Sequence, residues 1–267
     1  MLANAGSGHT GGSLSVTDFL TALLFHEVNL DPANPAWPDR DFWNVSNAHV
    51  SPVIYSVMAE RGSFPLDKLL GFRQFKGSLQ GHPSVHDTPG LEVSAGSLGQ
   101  GLSVAVGVAL AAKMDNHPRR AWCCMGDGEQ QEGSIWEAAL SAAHYKLDNL
   151  CGIVDLNGLQ IDGKTADVLN VEPLAEKYRA FGWHVVEIDG HDMAAILGAF
   201  TEAKATVGKP TAILARTVMG KGWLEIEGNH LWHGRPPTVE EADRALHGLG
   251  TTYENWRSRL DNNGAGR

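Results

Sequence analysis

The sequence has no excess of positive charge: among its 267 residues, 21 are Lys or Arg and 31 are Asp or Glu, for a net charge of −10. An acidic chain of this kind offers no basic surface for phosphate backbones or anionic lipids. We therefore expect no nucleic acid and no membrane among its partners. Hydrophobic residues make up 43% of the chain and charged residues only 19%, which favours one globular domain with a full core and a small-molecule ligand.

Long apolar runs and cysteine motifs are also absent. No segment approaches the ~18 uninterrupted apolar residues of a membrane-spanning helix, and residues 1–8 lack the charged start and apolar stretch of a signal peptide. We expect a soluble, cytoplasmic protein. Cys123, Cys124 and Cys151 lie in apolar runs outside C-x-x-C spacing, which favours reduced, buried thiols over disulfides or a zinc site.

Short apolar runs rich in β-branched residues alternate with amphipathic stretches, a pattern typical of βαβ units. The predicted fold class is α/β, with a doubly wound, mainly parallel sheet and helices on both faces. The predicted strands are Trp43–Ser46, Ala121–Met125, Cys151–Leu156, His184–Ile188 and Thr211–Arg216. The predicted helices are Ser97–Met114, Ser134–Tyr145, Val171–Phe181 and Met193–Thr206.

The two ends of the chain are less regular. Met1–Ala5 is typical of the end of a helix and is followed by a glycine-rich turn. Thr238–Leu260 indicates a polar helix with a frayed continuation, and we predict disorder for Asp261–Arg267. This interpretation divides the chain into a cofactor-binding domain of residues 1–237 and a C-terminal segment of residues 238–267.

Polar residues follow two neighbouring predicted strands. Gly126-Asp127-Gly128 follows one strand, and Asn157 follows the next, thirty residues after Asp127. The carboxyl ends of parallel strands meet at one sheet edge, so we expect the two side chains to lie close together. A carboxylate, an amide oxygen and the backbone carbonyl of Leu159 suit Mg²⁺ and leave room for diphosphate oxygens. A plain turn is the alternative for Gly-Asp-Gly taken alone.

Gly128 adds to this prediction. Because glycine has no Cβ, its N–H can approach a phosphate closely. A helix predicted to begin near Gly133 would point its positive end towards the same place.

These motifs resemble the transketolase family. Gly126-Asp127-Gly128 with Asn157 is similar to the thiamine diphosphate motif of that family. The other motifs agree in order: GSGHTGG at 6–12, GHP at 81–83, LEVSAGSLGQG at 91–101, GDGEQQEGS at 126–134, SAAHYKLDNL at 141–150 and WHG at 232–234. The resemblance extends from Gly6 to about Pro237. It implies a transketolase-type transferase with thiamine diphosphate and Mg²⁺, or Ca²⁺ or Mn²⁺ in its place.

The resemblance also implies roles for four histidines. His9 and His82 would contact sugar hydroxyls near the reacting carbons, His49 would touch the diphosphate side, and His233 would contact both substrate and cofactor. Imidazole can transfer protons near neutral pH, as ketol transfer requires. Taken alone, each would be interpreted as a surface or core residue.

Zinc binding is the alternative interpretation of the histidines. His82 with His86, or His230 with His233, has a permissible ligand spacing. No third ligand is evident for either pair, and Pro83 disfavours a helix carrying the first pair.

Four further residues are assigned to the cofactor by the resemblance. Gly96 would face the pyrimidine with its backbone, Leu98 would pack on the thiazolium, and Ser97 would open the long helix, with a plain N-cap as its alternative role. Glu132 resembles a glutamate that joins an acidic network across the dimer. Its alternative is a first-turn carboxylate favoured by the helix dipole.

In transketolase-like enzymes, the glutamate that tunes the cofactor and most sugar-phosphate anchors belong to a separate pyrimidine-binding domain. We expect no such domain within these 267 residues. We therefore expect the diphosphate-binding half of a two-component transketolase, which transfers a two-carbon ketol unit from a ketose or ketose phosphate to an aldose. We expect activity only with a pyrimidine-domain partner, in a two-plus-two heterotetramer.

Two other functions stay open at this point. One is a component of another thiamine diphosphate enzyme, similar to 1-deoxyxylulose-phosphate synthase or a 2-oxoacid dehydrogenase. The other is a non-catalytic module that binds the cofactor.

Overall fold

The computed structural model describes residues 1–264, and a five-stranded sheet lies at its centre. The strands are β1 (Phe42–Val45), β2 (Ala121–Gly126), β3 (Leu150–Leu156), β4 (Leu159–Gln160), β5 (Gly163–Lys164), β6 (His184–Asp189) and β7 (Thr211–Arg216). The central sheet has the order β1-β2-β3-β7-β6, and each neighbouring pair is parallel. Strands β4 and β5 form a small antiparallel hairpin.

Helices connect and flank these strands. The α-helices are α1 (Leu2–Ala5), α2 (Gly11–Ser15), α3 (Thr17–Ala22), α4 (Ser51–Glu60), α5 (Gln100–Met114), α6 (Gly133–His144), α7 (Thr165–Leu169), α8 (Leu174–Ala180), α9 (Met193–Ala205), α10 (Val239–Gly248) and α11 (Tyr253–Gly264). A π-helix covers Leu23–Glu27, and 3₁₀ turns cover Ala48–Val50, Leu66–Gly71, Gly128–Gln131 and His230–Trp232.

Side chains that alternate along the strands bury two separate cores, one on each face of the sheet. On one face, Trp122 of β2 packs with residues of α3, α4 and α9, such as Phe200. On the other face, Cys123 packs with residues of α5, α6 and α8, such as Leu102 and Tyr178. Because strand side chains point alternately to opposite faces, adjacent residues enter different cores. The predicted doubly wound α/β class is confirmed, and every predicted strand agrees with the structure to within one residue at each end.

The helix starts differ more than the strands. Helix α5 begins at Gln100, with Gly99 as its N-cap at φ +83°, so the predicted opening of this helix at Ser97 is wrong. Residues 91–99 form an irregular loop instead. Helix α8 begins at Leu174 rather than at Val171.

The C-terminal segment forms two helices rather than one helix with a frayed end. Thr238 and Glu241 form a capping box at the start of α10. Helix α11 extends to Gly264, so the tail predicted to be disordered from Asp261 begins inside this helix, and residues 265–267 lie outside the described part of the chain. The domain boundary at residue 237 stays a prediction.

Two further observations concern the whole described chain. Within residues 1–264, no helix has the length and apolar character needed to cross a membrane. The three cysteines are free and buried, as expected from their apolar surroundings.

Candidate metal and diphosphate site

Asp127 lies directly after β2, at the edge where the parallel strands end. One oxygen of its buried carboxylate, Oδ1, accepts the N–H of Gly128 at 2.7 Å. The other, Oδ2, accepts the N–H of Gly158 at 2.6 Å. Gly158 is the residue after Asn157, so the structure brings the ends of β2 and β3 within hydrogen-bond distance of each other.

The side-chain amide of Asn157 is held in one orientation. Its Nδ2 donates to Oδ2 of Asp155 at 2.7 Å, and its Oδ1 accepts the N–H of Leu159 at 2.9 Å. A carboxylate can only accept, so Asp155 fixes which end of the amide is nitrogen. The amide oxygen therefore faces away from Asp155.

Asp155 is a site residue that sequence reasoning missed. Its side chain is 1% exposed, and its Oδ1 accepts the hydroxyl of Ser15 at 2.7 Å and also the hydroxyl of Thr217. Ser15 lies in α2 and Thr217 follows β7, so this carboxylate joins both elements to the end of β3. The available signal was one acidic residue in an otherwise apolar strand.

The pKa values of both carboxylates are raised, and burial is the main cause for each. Burial, and secondly the charge of Asp155, raise the pKa of Asp127 to about 7, although the backbone hydrogen bonds oppose the shift. Burial likewise raises the pKa of Asp155. Their partners are N–H and O–H donors rather than basic side chains. A divalent cation would offset this concentration of negative charge, so the electrostatics fit a metal ion.

Gly128 begins the 3₁₀ turn after Asp127, and α6 follows at Gly133. A Cβ at Gly128 would lie 3.3 Å from the Cβ of Gln160, which is tight. The backbone N–H of Gly128 donates to Asp127. Its contact with a phosphate stays a prediction.

Three of the four predicted histidines form a cluster. The ring centroids of His9 and His49 are 4.9 Å apart, those of His49 and His233 are 5.0 Å apart, and those of His9 and His233 are 5.6 Å apart. His9 precedes α2, His49 follows β1, and His233 follows the turn at 230–232. The Nδ1 atoms of His9 and His233 are buried without a hydrogen-bond partner in the described chain. These two atoms fit a site that a polar ligand completes.

The surroundings keep the clustered imidazoles neutral. Burial first, and then neighbouring imidazoles, lower the pKa of His49 to about 3 and contribute to lowering that of His9 to about 4. Burial also lowers the pKa of His233. A neutral imidazole carries one donor and one acceptor nitrogen, so each ring can both donate and accept a hydrogen bond at neutral pH.

His82 lies apart from the ring cluster, with an exposed side chain. A Cβ at Gly96 would lie 3.5 Å from the Cβ of His82, so His82 borders the 96–99 turn. Its pKa is lowered by desolvation and then by the charge of Arg73. The charge of His82 in turn contributes to the lowered pKa of His9.

The other predicted cofactor residues, Gly96, Ser97, Leu98 and Glu132, lie in or beside the turn before α5. Gly96 and Ser97 are exposed and Leu98 is half-buried, and all three precede α5. Glu132 is exposed and is the N-cap residue of α6 rather than a first-turn carboxylate. A Cβ at Gly99 would lie 2.7 Å from the Cβ of Glu132, so this glutamate borders the same turn.

Glu129 is a second buried carboxylate that sequence reasoning missed. Its side chain is 2% exposed. It accepts the N–H of Gly99 at 2.7 Å, the N–H of Gly126 at 3.0 Å and the hydroxyl of Ser46. The local sequence gives no sign of this role, because two of the three contacts, with Ser46 and Gly99, come from distant parts of the chain.

The zinc alternative gains no support. Within residues 1–264, no group of three or more His, Cys, Asp or Glu side chains has an arrangement that would hold a metal ion. The candidate magnesium ligands are a carboxylate, an amide and a backbone carbonyl, which is a different donor set.

The fold and this site together define an α/β protein of the class that binds a diphosphate cofactor at the carboxyl ends of parallel strands. Comparison with known proteins gives the family. Residues 1–259 match the family described as transketolase, thiamine diphosphate binding domain, and the chain belongs to it.

Several relatives are similar over most of this chain. The chain is 44% identical to the 6-deoxy-6-sulfo-D-fructose transketolase subunit SqwG of Clostridium sp. (strain MSTE9), with 90% of this chain and 87% of that protein covered. It is 43% identical to an apulose-4-phosphate transketolase subunit of Actinobacillus succinogenes, with 91% and 87% covered. The solved transketolase of Campylobacter jejuni has a TM-score of 0.88 and 34% identity, with 96% of this chain covered.

The relatives differ in how much of their own length this chain covers. The chain spans only 42% of the solved Campylobacter jejuni transketolase, whereas it spans most of the two subunits. The chain thus carries the thiamine diphosphate-binding domain of a transketolase-type transferase, and it is similar over most of its length to proteins named as transketolase subunits. The resemblance seen in its motifs is confirmed.

Proposed function

We propose that Asp127, Asn157 and the backbone carbonyl of Leu159 hold Mg²⁺, which binds the diphosphate of thiamine diphosphate. The observation that carries this proposal is the contact of the Asp127 carboxylate with Gly158, beside Asn157. All three proposed ligands are oxygens, which Mg²⁺ prefers, and Ca²⁺ or Mn²⁺ would use the same set. The N–H of Gly128 would contact the diphosphate.

The histidines would act at the other end of the cofactor. Bound thiamine diphosphate supplies the nucleophilic carbon and the electron sink that ketol transfer requires. His9, His82 and His233 would bind the sugar hydroxyls and move protons between hydroxyl and carbonyl oxygens. The lowered pKa values of all three support a role in binding these hydroxyls, because each neutral ring offers one N–H donor and one acceptor nitrogen.

The remaining site residues would bind the cofactor. His49 and His233 would contact it from the imidazole cluster, and their ring distance of 5.0 Å supports a shared surface. The turn containing Gly96, Ser97 and Leu98 would face the thiazolium and pyrimidine rings. Glu132, exposed beside this turn, would join an acidic network with a second polypeptide.

We propose that the chain works with a separate pyrimidine-domain polypeptide, in a two-plus-two heterotetramer in the cytoplasm. The relatives it covers almost fully are named as transketolase subunits, which supports a two-component enzyme. The free, buried cysteines support a reducing compartment. The assembled enzyme would transfer a two-carbon ketol unit from a ketose or ketose phosphate to an aldose.

Reconstitution tests this function. The purified chain is mixed with a pyrimidine-domain transketolase polypeptide, thiamine diphosphate, Mg²⁺, a ketose phosphate and an aldose, and the new ketose is measured. We expect product only when both chains are present, and a mass by analytical ultracentrifugation that equals two copies of each. Activity from this chain alone would contradict the two-component function. If no pyrimidine-domain partner gave a product, ketol transfer would be contradicted.

A further inference from the structure

Glu129 connects the two regions of the chain that the proposed function assigns to opposite ends of the cofactor. One oxygen, Oε1, accepts the N–H of Gly99 at 2.7 Å, in the turn proposed to face the cofactor rings. The other, Oε2, accepts the N–H of Gly126, the residue before the proposed metal ligand Asp127, at 3.0 Å. A single side chain thus holds both regions.

The donors around Glu129 require a group that only accepts. Its partners are two backbone N–H groups and the hydroxyl of Ser46. A glutamine would place its NH₂ against one of these donors, whereas a carboxylate accepts from all of them. Burying a carboxylate among uncharged donors costs free energy, and the hydrogen bonds to these three groups offset that cost only while the donors keep their positions.

Each region is held from a second side. The hydroxyl of Ser134 donates to the carbonyl of Gly99 at 3.0 Å, so both polar groups of the Gly99 backbone are bound by side chains. The carbonyl of Gly126 accepts Nε2 of Gln130 at 2.9 Å, so the Gly126 backbone is bound in the same way. The orientations of the turn and of the Asp127 peptide therefore depend on each other through Glu129.

We propose that Glu129 is a positioning residue that sets the turn at 96–99 relative to the metal-binding peptide at 126–127, so that one buried carboxylate aligns both ends of the cofactor site. This inference rests on the proposed function. It goes beyond it because Glu129 itself would touch neither the metal nor the cofactor. The ligand affected is thiamine diphosphate as a whole rather than its diphosphate alone.

Calorimetry on the purified full chain distinguishes these ligands. In the presence of Mg²⁺, thiamine diphosphate and inorganic pyrophosphate are titrated into wild type, Glu129→Gln and the control Glu137→Gln, which changes an exposed carboxylate on α6. We expect Glu129→Gln to weaken thiamine diphosphate binding by about tenfold or more, the effect of one charge-assisted hydrogen bond, and to weaken pyrophosphate binding clearly less. Equal losses for both ligands, or no loss, would overturn the proposal.

Ser134→Ala provides a second variant in case Glu129→Gln does not fold. It removes only the hydroxyl that holds Gly99. We expect it to weaken binding of thiamine diphosphate while pyrophosphate binding stays at the wild-type value. A Ser134→Ala protein that binds both ligands like wild type would overturn the proposed link between this turn and the cofactor.

Hydrogen exchange separates failure of this inference from failure of the proposed function. Without any ligand, Glu129→Gln should speed exchange in peptides covering both 96–101 and 126–128, with core strands such as β7 unchanged. Faster exchange in only one region, or across the whole chain, would contradict a positioning role. If wild type binds neither ligand, the proposed function fails, and the exchange result still decides whether Glu129 couples the two regions.

Discussion

At the scale of single residues, His9 and His49 are imidazoles that the fold keeps uncharged. Burial contributes most to the lowered pKa of each, and the nearby imidazoles of His233 and His82 add to it. The same ring is solvated in the unfolded chain, where its pKa is near 6.5. Folding therefore releases protons from these rings at pH values between the folded-state pKa and 6.5.

We predict the resulting pH dependence of stability. Since both folded-state pKa values are depressed, to about 4 and about 3, this contribution is complete above pH 6.5 and is lost as the pH falls towards those values. Urea unfolding between pH 7 and pH 5 should show a steeper loss of stability for wild type than for a His9→Asn/His49→Asn variant. Titration of either imidazole near 6.5 by NMR would contradict this account.

Asp155 supports a second prediction at this scale. All its side-chain partners, Ser15, Asn157 and Thr217, are donors. Asp155→Asn places an amide donor against them, so we expect a loss of about 1–3 kcal/mol in the free energy of unfolding. Asp167→Asn, at an exposed position, is the matched control and should change stability little. Urea unfolding of both variants measures the difference; equal stabilities would show that the Asp155 contacts contribute nothing.

At the scale of elements, the start of α5 depends on a glycine with a left-handed backbone. Gly99 has φ +83°, and a Cβ there would lie 2.6 Å from the hydroxyl oxygen of Ser134. We expect Gly99→Ala to destabilise the chain by about 1–3 kcal/mol, because the left-handed backbone would be strained and the Ser134 side chain would be displaced. Gly107→Ala, in the same helix with open space around its Cβ, should instead change stability by no more than about 1 kcal/mol, in the stabilising direction.

Thermal unfolding of both glycine variants distinguishes the two effects. A Gly99→Ala protein as stable as Gly107→Ala would mean that the turn tolerates a side chain and that Gly99 does not fix the start of α5.

The same helix shows why elements differ in how far they can be predicted. The strands follow from local composition, because a parallel strand covered on both faces is a short apolar run. The start of α5 does not follow locally, because Gly99 is held by Glu129, thirty residues away in the sequence, and by Ser134. Ser97 has the residue type of an N-cap but lies outside the helix.

At the scale of the whole molecule, topology decides which parts of the site meet. The positions of Asp127 and Asn157 follow from the rule that adjacent parallel strands end at one edge, and the structure places Asp127 in contact with Gly158 beside Asn157. The imidazole cluster brings together His9 and His233, which are more than two hundred positions apart in the sequence. Only the family resemblance predicted the roles of these histidines. Asp155 and Glu129 escaped prediction because their importance lies in long-range contacts with no local pattern.

The central claim is that Asp127 and Asn157, at the ends of adjacent strands, bind one metal ion and through it the diphosphate. Calorimetric titration of thiamine diphosphate into wild type and Asp127→Asn, with Mg²⁺ or with EDTA, measures this directly. The account predicts binding to wild type that requires Mg²⁺ and is lost in Asp127→Asn, because the variant removes the one charged ligand proposed. Binding that persists in EDTA, or that is unchanged in Asp127→Asn, would contradict it.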